Sequence, residues 1–288
     1  MLDTIMASGS DQAHEQRLAN LSELPHFVVF EQHRRQLTAL TLAAAETRVQ
    51  PTLCVLGAGN CFDLDLNALA ERFSAIHLVD IDESALDRAF QRQEAATRAR
   101  LVRHAALDLT GFLDRIDRWS RFEVTPAELM GHPARAAIQI REQLSGPFDV
   151  VLSACTLSQM QLSVLDVLTD QHRLFEAVRF TLNLTHLRTL AELTRPAGSA
   201  LFATDASSSE LQSLAAVPAD ADCSALLREL VTQGKVFDFA DPRRLASQLR
   251  DDPVLCQAFG EFQVRNAWIW NNGPDTQFLV YASALPRL

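Results

Sequence analysis

Apolar positions along the chain change period several times, and each change marks a new element. From Pro25 to about Thr47, Phe27, Phe30, Leu37, Leu40 and Leu42 recur at roughly helical spacing, which predicts helix. The polar stretch before it, residues 1 to about 20 with Ser8-Gly9-Ser10, is expected to be a mobile segment or a loosely docked helix. The period then shortens. Thr52-Leu53-Cys54-Val55-Leu56 runs into Gly57-Ala58-Gly59, the pattern of a buried strand meeting a tight turn. A helix over 63–73, a strand over 75–80, a helix over 84 to about 98, a strand over 101–107 and a helix over 113–122 follow. After the Gly146-Pro147 punctuation comes a fourth strand, 148–153. One long helix is predicted over about 165–194, with Phe175, Val178, Leu182, Leu187, Leu190 and Ala191 on one face. Pro196-Ala197-Gly198 is expected to stop it, before a fifth strand over 199–204.

Strands alternating with helices indicate a parallel sheet covered on both faces. The tail breaks that rhythm. Residues 261–270 and 276–284 alternate as extended runs joined by Asn271-Asn272-Gly273-Pro274, which reads as a hairpin. The stretch 207–259 is mainly helical and too long for a simple connection, so it is read as an insertion or lid.

Composition narrows the function classes. A chain of 288 residues, 48% hydrophobic and 22% charged, can bury a sizeable core as one large domain or a domain with an insertion. Its net charge of -10 argues against nucleic acid as a partner, because phosphate binding needs a cationic surface. His33-Arg34-Arg35 and Arg98, Arg100 and Arg103 read as solvated helix faces and ends. Cys54, Cys61, Cys155, Cys223 and Cys256 are scattered with no CxxC pair, so neither a disulfide framework nor a zinc site is indicated. With no signal-peptide pattern and no apolar run of membrane length, a cytoplasmic protein without membrane contact and without a metal is expected.

The chemistry centres on Gly57-Ala58-Gly59-Asn60 after strand one and Asp80 at the end of strand two. Glycines let backbone approach a ligand closely, and a carboxylate after the second strand can accept both ribose hydroxyls of an adenosine. Dinucleotides and S-adenosylmethionine both fit. Phe62 stands where a dinucleotide fingerprint needs its third glycine. Asp63 and Asp65, read as helix caps, would repel a pyrophosphate and tolerate a sulfonium and an ammonium. Asp108, at the end of strand three, can accept the adenine amine while the Leu109 N–H reaches a ring nitrogen; it can also cap the following turn.

These motifs resemble the class I S-adenosylmethionine-dependent methyltransferases. The likeness runs from about Pro51 to Asp205 and resumes in the terminal hairpin. Val55 stands where that family often has an acid, and Cys61 where it often has a third glycine. The resemblance implies a Rossmann-like α/β fold: a mostly parallel seven-stranded sheet, helices on both faces and a C-terminal antiparallel hairpin. It implies a domain over 48–288 with the insertion at about 207–259, preceded by an N-terminal helical extension or lid over 1–47. It implies a methyltransferase whose cofactor is S-adenosylmethionine, held by Gly57, Ala58, Gly59, Asn60, Asp80, Ile81, Asp108, Leu109 and Ser153.

The acceptor, a small molecule or a peptide, is expected at the strand ends. Candidates are Ser153, Cys155, Ser158 and Gln159 after strand four, Asp205 after strand five, and Trp268 and Trp270 on one face of the hairpin. His26 and His33 lie in the N-terminal segment, which is expected to flank the crevice together with the insertion. Two other readings stay open: a non-catalytic S-adenosylmethionine-binding protein (or an enzyme using another part of that cofactor), and a nucleotide-dependent oxidoreductase.

Overall fold

The computed structural model describes residues 9–113, 115, 124–218, 221–273 and 276–288. Seven strands form one sheet: β1 (Thr52–Leu56), β2 (Ala75–Val79), β3 (Leu101–His104), β4 (Phe148–Ala154), β5 (Thr194–Ser208), β6 (Val264–Asn271) and β7 (Gln277–Pro286). Their order is β3-β2-β1-β4-β5-β7-β6. The first five are parallel, with Leu53 opposite both Ile76 and Val150, and Leu152 opposite Leu201. β7 runs antiparallel between β5 and β6. The expected fold class is the one observed. Because the strand order reverses between β1 and β4, their connections leave to opposite sides and open a crevice at the strands' C-terminal ends.

Alternation along the strands feeds two cores. Leu53 and Val55 point to one face with Leu37, Leu69, Leu78 and Trp268; Cys54 and Leu56 point to the other with Val151, Val164, Val178 and Leu230. Each fully buried Leu or Val contributes roughly 1.5–3 kcal/mol, so a strand buried on both faces is held far more strongly than its hydrogen bonds alone would hold it.

The first face carries α1 (Gly9–Ser22), α2 (Glu31–Ala44), α3 (Leu66–Arg72), α4 (Glu83–Gln91) and the short α5 (Ala95–Arg98). Asp65 caps α3 by accepting from the Asn67 and Ala68 N–H groups. The predicted helix 84–98 is therefore α4 and α5, and the third strand ends at His104 rather than at residue 107.

Three features on the second face differ from the periodicity. A helix, α6 (Pro126–Leu144), fills a stretch for which no element is predicted. Its start signal is present: Thr125 and Glu128 form a reciprocal capping box with Pro126 in the first turn. Gly131 and the interior Pro133, which forfeits a helix hydrogen bond, obscure the apolar period. The single helix expected over 165–194 is two, α7 (Thr156–Leu168) and α8 (Phe175–Leu193). Thr169 breaks them apart: its backbone turns to φ 50° and ψ 157° while its N–H still closes the last turn on the Leu165 carbonyl. Finally, Pro196-Ala197-Gly198 does not stop a helix. It is an irregularity inside β5, with Ala197 at φ 58°, and α8 ends at Leu193. The helix expected over 113–122 lies largely outside the described residues, as does Pro274 of the hairpin turn.

The insertion contains α9 (Cys223–Gln233), α10 (Pro242–Asp251) and α11 (Leu255–Ala258). Leu227, Leu230, Leu245, Leu249 and Leu255 pack into the same core as α7 and α8. The Tyr281 hydroxyl donates to the Ala240 carbonyl at 2.9 Å, and Arg188 pairs with Asp252 at 2.6 Å. Among the described residues, no helix is long and apolar enough to cross a membrane.

Candidate cofactor and acceptor site

Two adjoining cavities open at the C-terminal ends of β1, β2 and β4. The first is built on the turn after β1. Gly57 takes φ 66° there, and a Cβ on it would lie 2.3 Å from the Thr156 hydroxyl oxygen, which itself donates to the Leu56 carbonyl. Only glycine leaves that backbone both conformations and space. The Gly59 N–H then donates to one carboxylate oxygen of Asp80 at 2.8 Å, and the Asp82 N–H to the other at 2.8 Å. Asp80 is thus fixed by backbone from both sides. Burial raises its pKa to about 6, against the lowering effect of those hydrogen bonds. Its remaining lone pairs face a cavity walled by Ile81, Leu107, Leu109, Leu113 and Met160, an apolar slot beyond a fixed acceptor. Asp108 lines this cavity too, and its carboxylate is also a cap. One oxygen accepts from the Thr110 N–H and hydroxyl, the other from the Leu113 N–H.

The second cavity continues past the loop. Gln16, Gly57 and Gln159 line both; Ala58, Gly59, Asn60, Cys61, Asp63, Cys155 and Trp270 line the second. Asn60 is committed to holding the N-terminal chain: it donates to the Asn20 carbonyl at 2.6 Å and accepts from Arg88 at 3.0 Å. Four of the strand-end and hairpin candidates line neither cavity, Ser158 among them, its hydroxyl donating to the Cys155 carbonyl at 2.8 Å. The Ser153 hydroxyl is buried under the sheet, 2.7 Å from Nε2 of His186 on α8. Trp268 is a core side chain whose indole N–H donates to His33 at 3.0 Å. Asp205 sits behind Cys155, near its thiol and the Ser158 hydroxyl.

The sequence reading did not anticipate four contributions from the N-terminal segment. Gln12 of α1 walls the first cavity, Gln16 both, and Asn20 and Glu23 the second. No local pattern marks them, because they face the site only through the docking of α1. Of the two acids expected as caps, Asp65 caps α3, whereas Asp63 faces the cavity, 3.5 Å from Nε2 of His33. Among the described residues, none of 207–259 lines either cavity, whereas α1 lines both.

Charge in the second cavity is one-sided. Burial raises Glu23 to about 7 and Asp63 to about 8, and each is pushed further by neighbouring carboxylates. An acid whose folded pKa is raised favours folding fully below its unfolded pKa and loses that contribution as pH rises through the folded one. The buried histidines have the opposite sign, but their unfolded forms lose most of their protons above about 7, where the acids take over. The ligand-free melting temperature should therefore fall from about pH 7 to about 8.5, and Asp63→Asn should flatten that slope. A calorimetric melt series checks both.

These features fix the architecture: a sheet reversed between β1 and β4, an antiparallel β7 inserted before β6, and a glycine turn bonded to an acid after β2. The chain has the class I methyltransferase fold. No protein-family model and no curated protein sequence matches it. Among solved structures it is similar to the N-methyltransferase NodS from Bradyrhizobium japonicum WM9, at 15% identity over 89% of this chain and 97% of that one, with a TM-score of 0.38. It is also similar to the magnesium protoporphyrin IX methyltransferase ChlM from Synechocystis PCC 6803 with bound SAH (13%, 91% and 84%, TM-score 0.43). A third similar structure is the O-methyltransferase TomG from Streptomyces achromogenes in complex with SAM (12%, 86% and 78%, TM-score 0.42).

Proposed function

We propose that the protein is a S-adenosylmethionine-dependent methyltransferase acting on a small-molecule or peptide acceptor. The observation that carries this reading is Asp80, clamped by the Gly59 and Asp82 N–H groups and facing an apolar slot. A fixed carboxylate beside a slot of Ile81, Leu109, Leu113 and Met160 suits an adenosine, whose ribose needs acceptors and whose base needs apolar walls. Asp108 and the backbone at Leu109 would meet the adenine edge. The cofactor would supply a methyl group on a sulfonium, already activated toward displacement. The chain's own task is then placement: holding an acceptor lone pair in line and excluding water. The segment 1–47 would serve as the closing extension and 48–288 as the methyltransferase domain.

Phe62 bears on the dinucleotide alternative. Its ring packs edge-on against Phe27 and Phe30 at 5.2 and 6.0 Å between centroids, filling the place where a pyrophosphate site needs a glycine. Calorimetry should give saturable binding of S-adenosylmethionine and S-adenosylhomocysteine and none of NAD. Binding of NAD alone would sink the methyltransferase reading.

A further inference from the structure

The second cavity gathers more acidic side chains than the site described so far can use. Glu23 and Asp63 line it, Asp205 lies just behind the Cys155 wall, and among the described residues no Lys, Arg or His side chain lines it. The nearest histidine does not supply a cation. Trp268 donates its indole N–H to Nδ1 of His33, so the neutral ring carries its proton on Nε2, 3.5 Å from the Asp63 carboxylate. Burial lowers the pKa of His33 to about 3, so it stays neutral. Arg34 spends its guanidinium on the Phe62 and Phe27 carbonyls, at 2.8 and 3.3 Å.

Four buried polar atoms are left without a hydrogen bond in or just behind the walls of this space: Oδ1 of Asp63, Nε2 of His33 that faces that oxygen at 3.5 Å, Oδ1 of Asp205 and Nε1 of Trp270. Asp205 and Trp270 are only 7% and 6% exposed, so solvent does not serve them. An unpaired buried polar group is costly, and each such atom in a cavity wall marks a place for a ligand group.

The acids are also ordered in space. Glu23 stands beside Asn60 and Asp80, on the cofactor side. Asp205 is at the far side, at the C-terminal end of β5, and Asp63 lies within electrostatic reach of both. The single ammonium of the cofactor can serve Glu23 but leaves Asp63 and Asp205 unmatched. Resting on the methyltransferase reading, we propose that this space is the acceptor site for a protonated amine, gripped by Asp63, with Asp205 adding negative potential from behind the Cys155 wall and the Trp270 N–H left for an acceptor atom elsewhere on the same molecule.

The chemistry follows. The ammonium gives a proton to the Asp63 carboxylate, which frees the nitrogen lone pair. That lone pair forms the new N–C bond as the C–S bond of the sulfonium breaks, its electron pair staying on sulfur. The products are an N-methylammonium, a neutral thioether and a protonated Asp63, so charge balances. A carboxylate held near 8 is a competent base at neutral pH, unlike an ordinary one. The groups facing Asp63 are Glu23, His33 and Arg34 from the N-terminal side, Asp205 from β5, and the Cys61 and Cys155 thiols. Both thiols stay protonated, and so does the amine below about 10, taking lysine as a guide. Amine affinity should therefore rise from pH 6 to 8, as Asp205 and then Asp63 become free to ionise.

The test uses the full chain saturated with S-adenosylhomocysteine, titrated with n-butylamine and 2-phenylethylamine and with 1-butanol and 2-phenylethanol as neutral matches. Binding is followed by calorimetry and by tryptophan fluorescence. The amines should bind and the alcohols should not; Asp63→Asn should weaken amine binding about ten- to a hundredfold, the loss typical of one charged partner, and Asp205→Asn, one wall further back, by less. S-adenosylhomocysteine affinity should stay within about threefold in both variants. Equal binding of amines and alcohols, or a flat pH profile in the wild type, would overturn the amine site while leaving the methyltransferase reading intact. Loss of S-adenosylhomocysteine binding in the variants would reassign the acids to the cofactor, again overturning it. Absence of S-adenosylhomocysteine binding in the wild type would remove the methyltransferase reading itself.

Discussion

Replacing Asp80 by alanine should abolish measurable cofactor binding. A carboxylate that accepts two ribose hydroxyls contributes roughly 1.5–3 kcal/mol per charged hydrogen bond, so affinity should fall by a factor of a hundred or more. The variant will also be less stable, because Asp80 is 4% exposed and its two oxygens satisfy the Gly59 and Asp82 N–H groups. Each N–H left unpaired in that interior costs about 1–3 kcal/mol. Asp80→Asn separates the effects. Its amide oxygen still satisfies one of the two donors, so it should lose less stability than alanine yet still lose most affinity, since its NH2 end donates where an acceptor is needed. Titration with S-adenosylhomocysteine after a melting check decides. Wild-type affinity in a folded Asp80→Asn protein would take Asp80 out of the cofactor site.

The parts of the site that a sequence reader can see are the local ones. Gly57-Ala58-Gly59 and Asp80 are legible because a glycine turn after an apolar strand, and an acid after the next, leave a pattern within one βαβ unit. The parallel sheet and its terminal hairpin are legible for the same reason, as changes of hydrophobic period. What escapes depends on long-range docking. Glu23 reaches Asn60 and Gln12 reaches the Asp80 cavity only because α1 lies along α4, and nothing in an alternation pattern announces that. Asp63 and Asp65 look equivalent in sequence; which one caps α3 is decided by the backbone turn between them. Ser153 shows a different limit. One residue along a strand reverses the face, and it puts the hydroxyl on His186 under the sheet instead of toward the cavity. The break at Thr169 carries no glycine or proline, so helical periodicity ran through it.

Asp82→Ala should have the second large effect, because this buried carboxylate is what fastens α1 over the site. It is 1% exposed and accepts from the Asn20 side chain at 3.0 Å, faces Arg17 at 3.7 Å and Arg88 at 3.5 Å, and caps α4 through the Ser84 N–H at 3.0 Å. The lost cap costs about 1 kcal/mol. The lost charged hydrogen bond from Asn20 adds about 1.5–3 kcal/mol. Arg88 keeps its bond to Asn60, so the damage concentrates on α1. Gln12 and Gln16, which wall the first cavity from α1, should then leave that position, and the cofactor should dissociate faster. Asp65→Ala is the control. It removes a cap of the same kind from α3, at about the same 1 kcal/mol, without touching α1. In hydrogen exchange, S-adenosylhomocysteine should protect α1 of the wild type and of Asp65→Ala but not of Asp82→Ala. The insertion at 207–259, which packs against α7 and α8, should gain little in any of the three. If α1 exchanges at the same rate with and without the ligand in the wild-type chain, it is no cover for the cofactor and its docking serves stability alone.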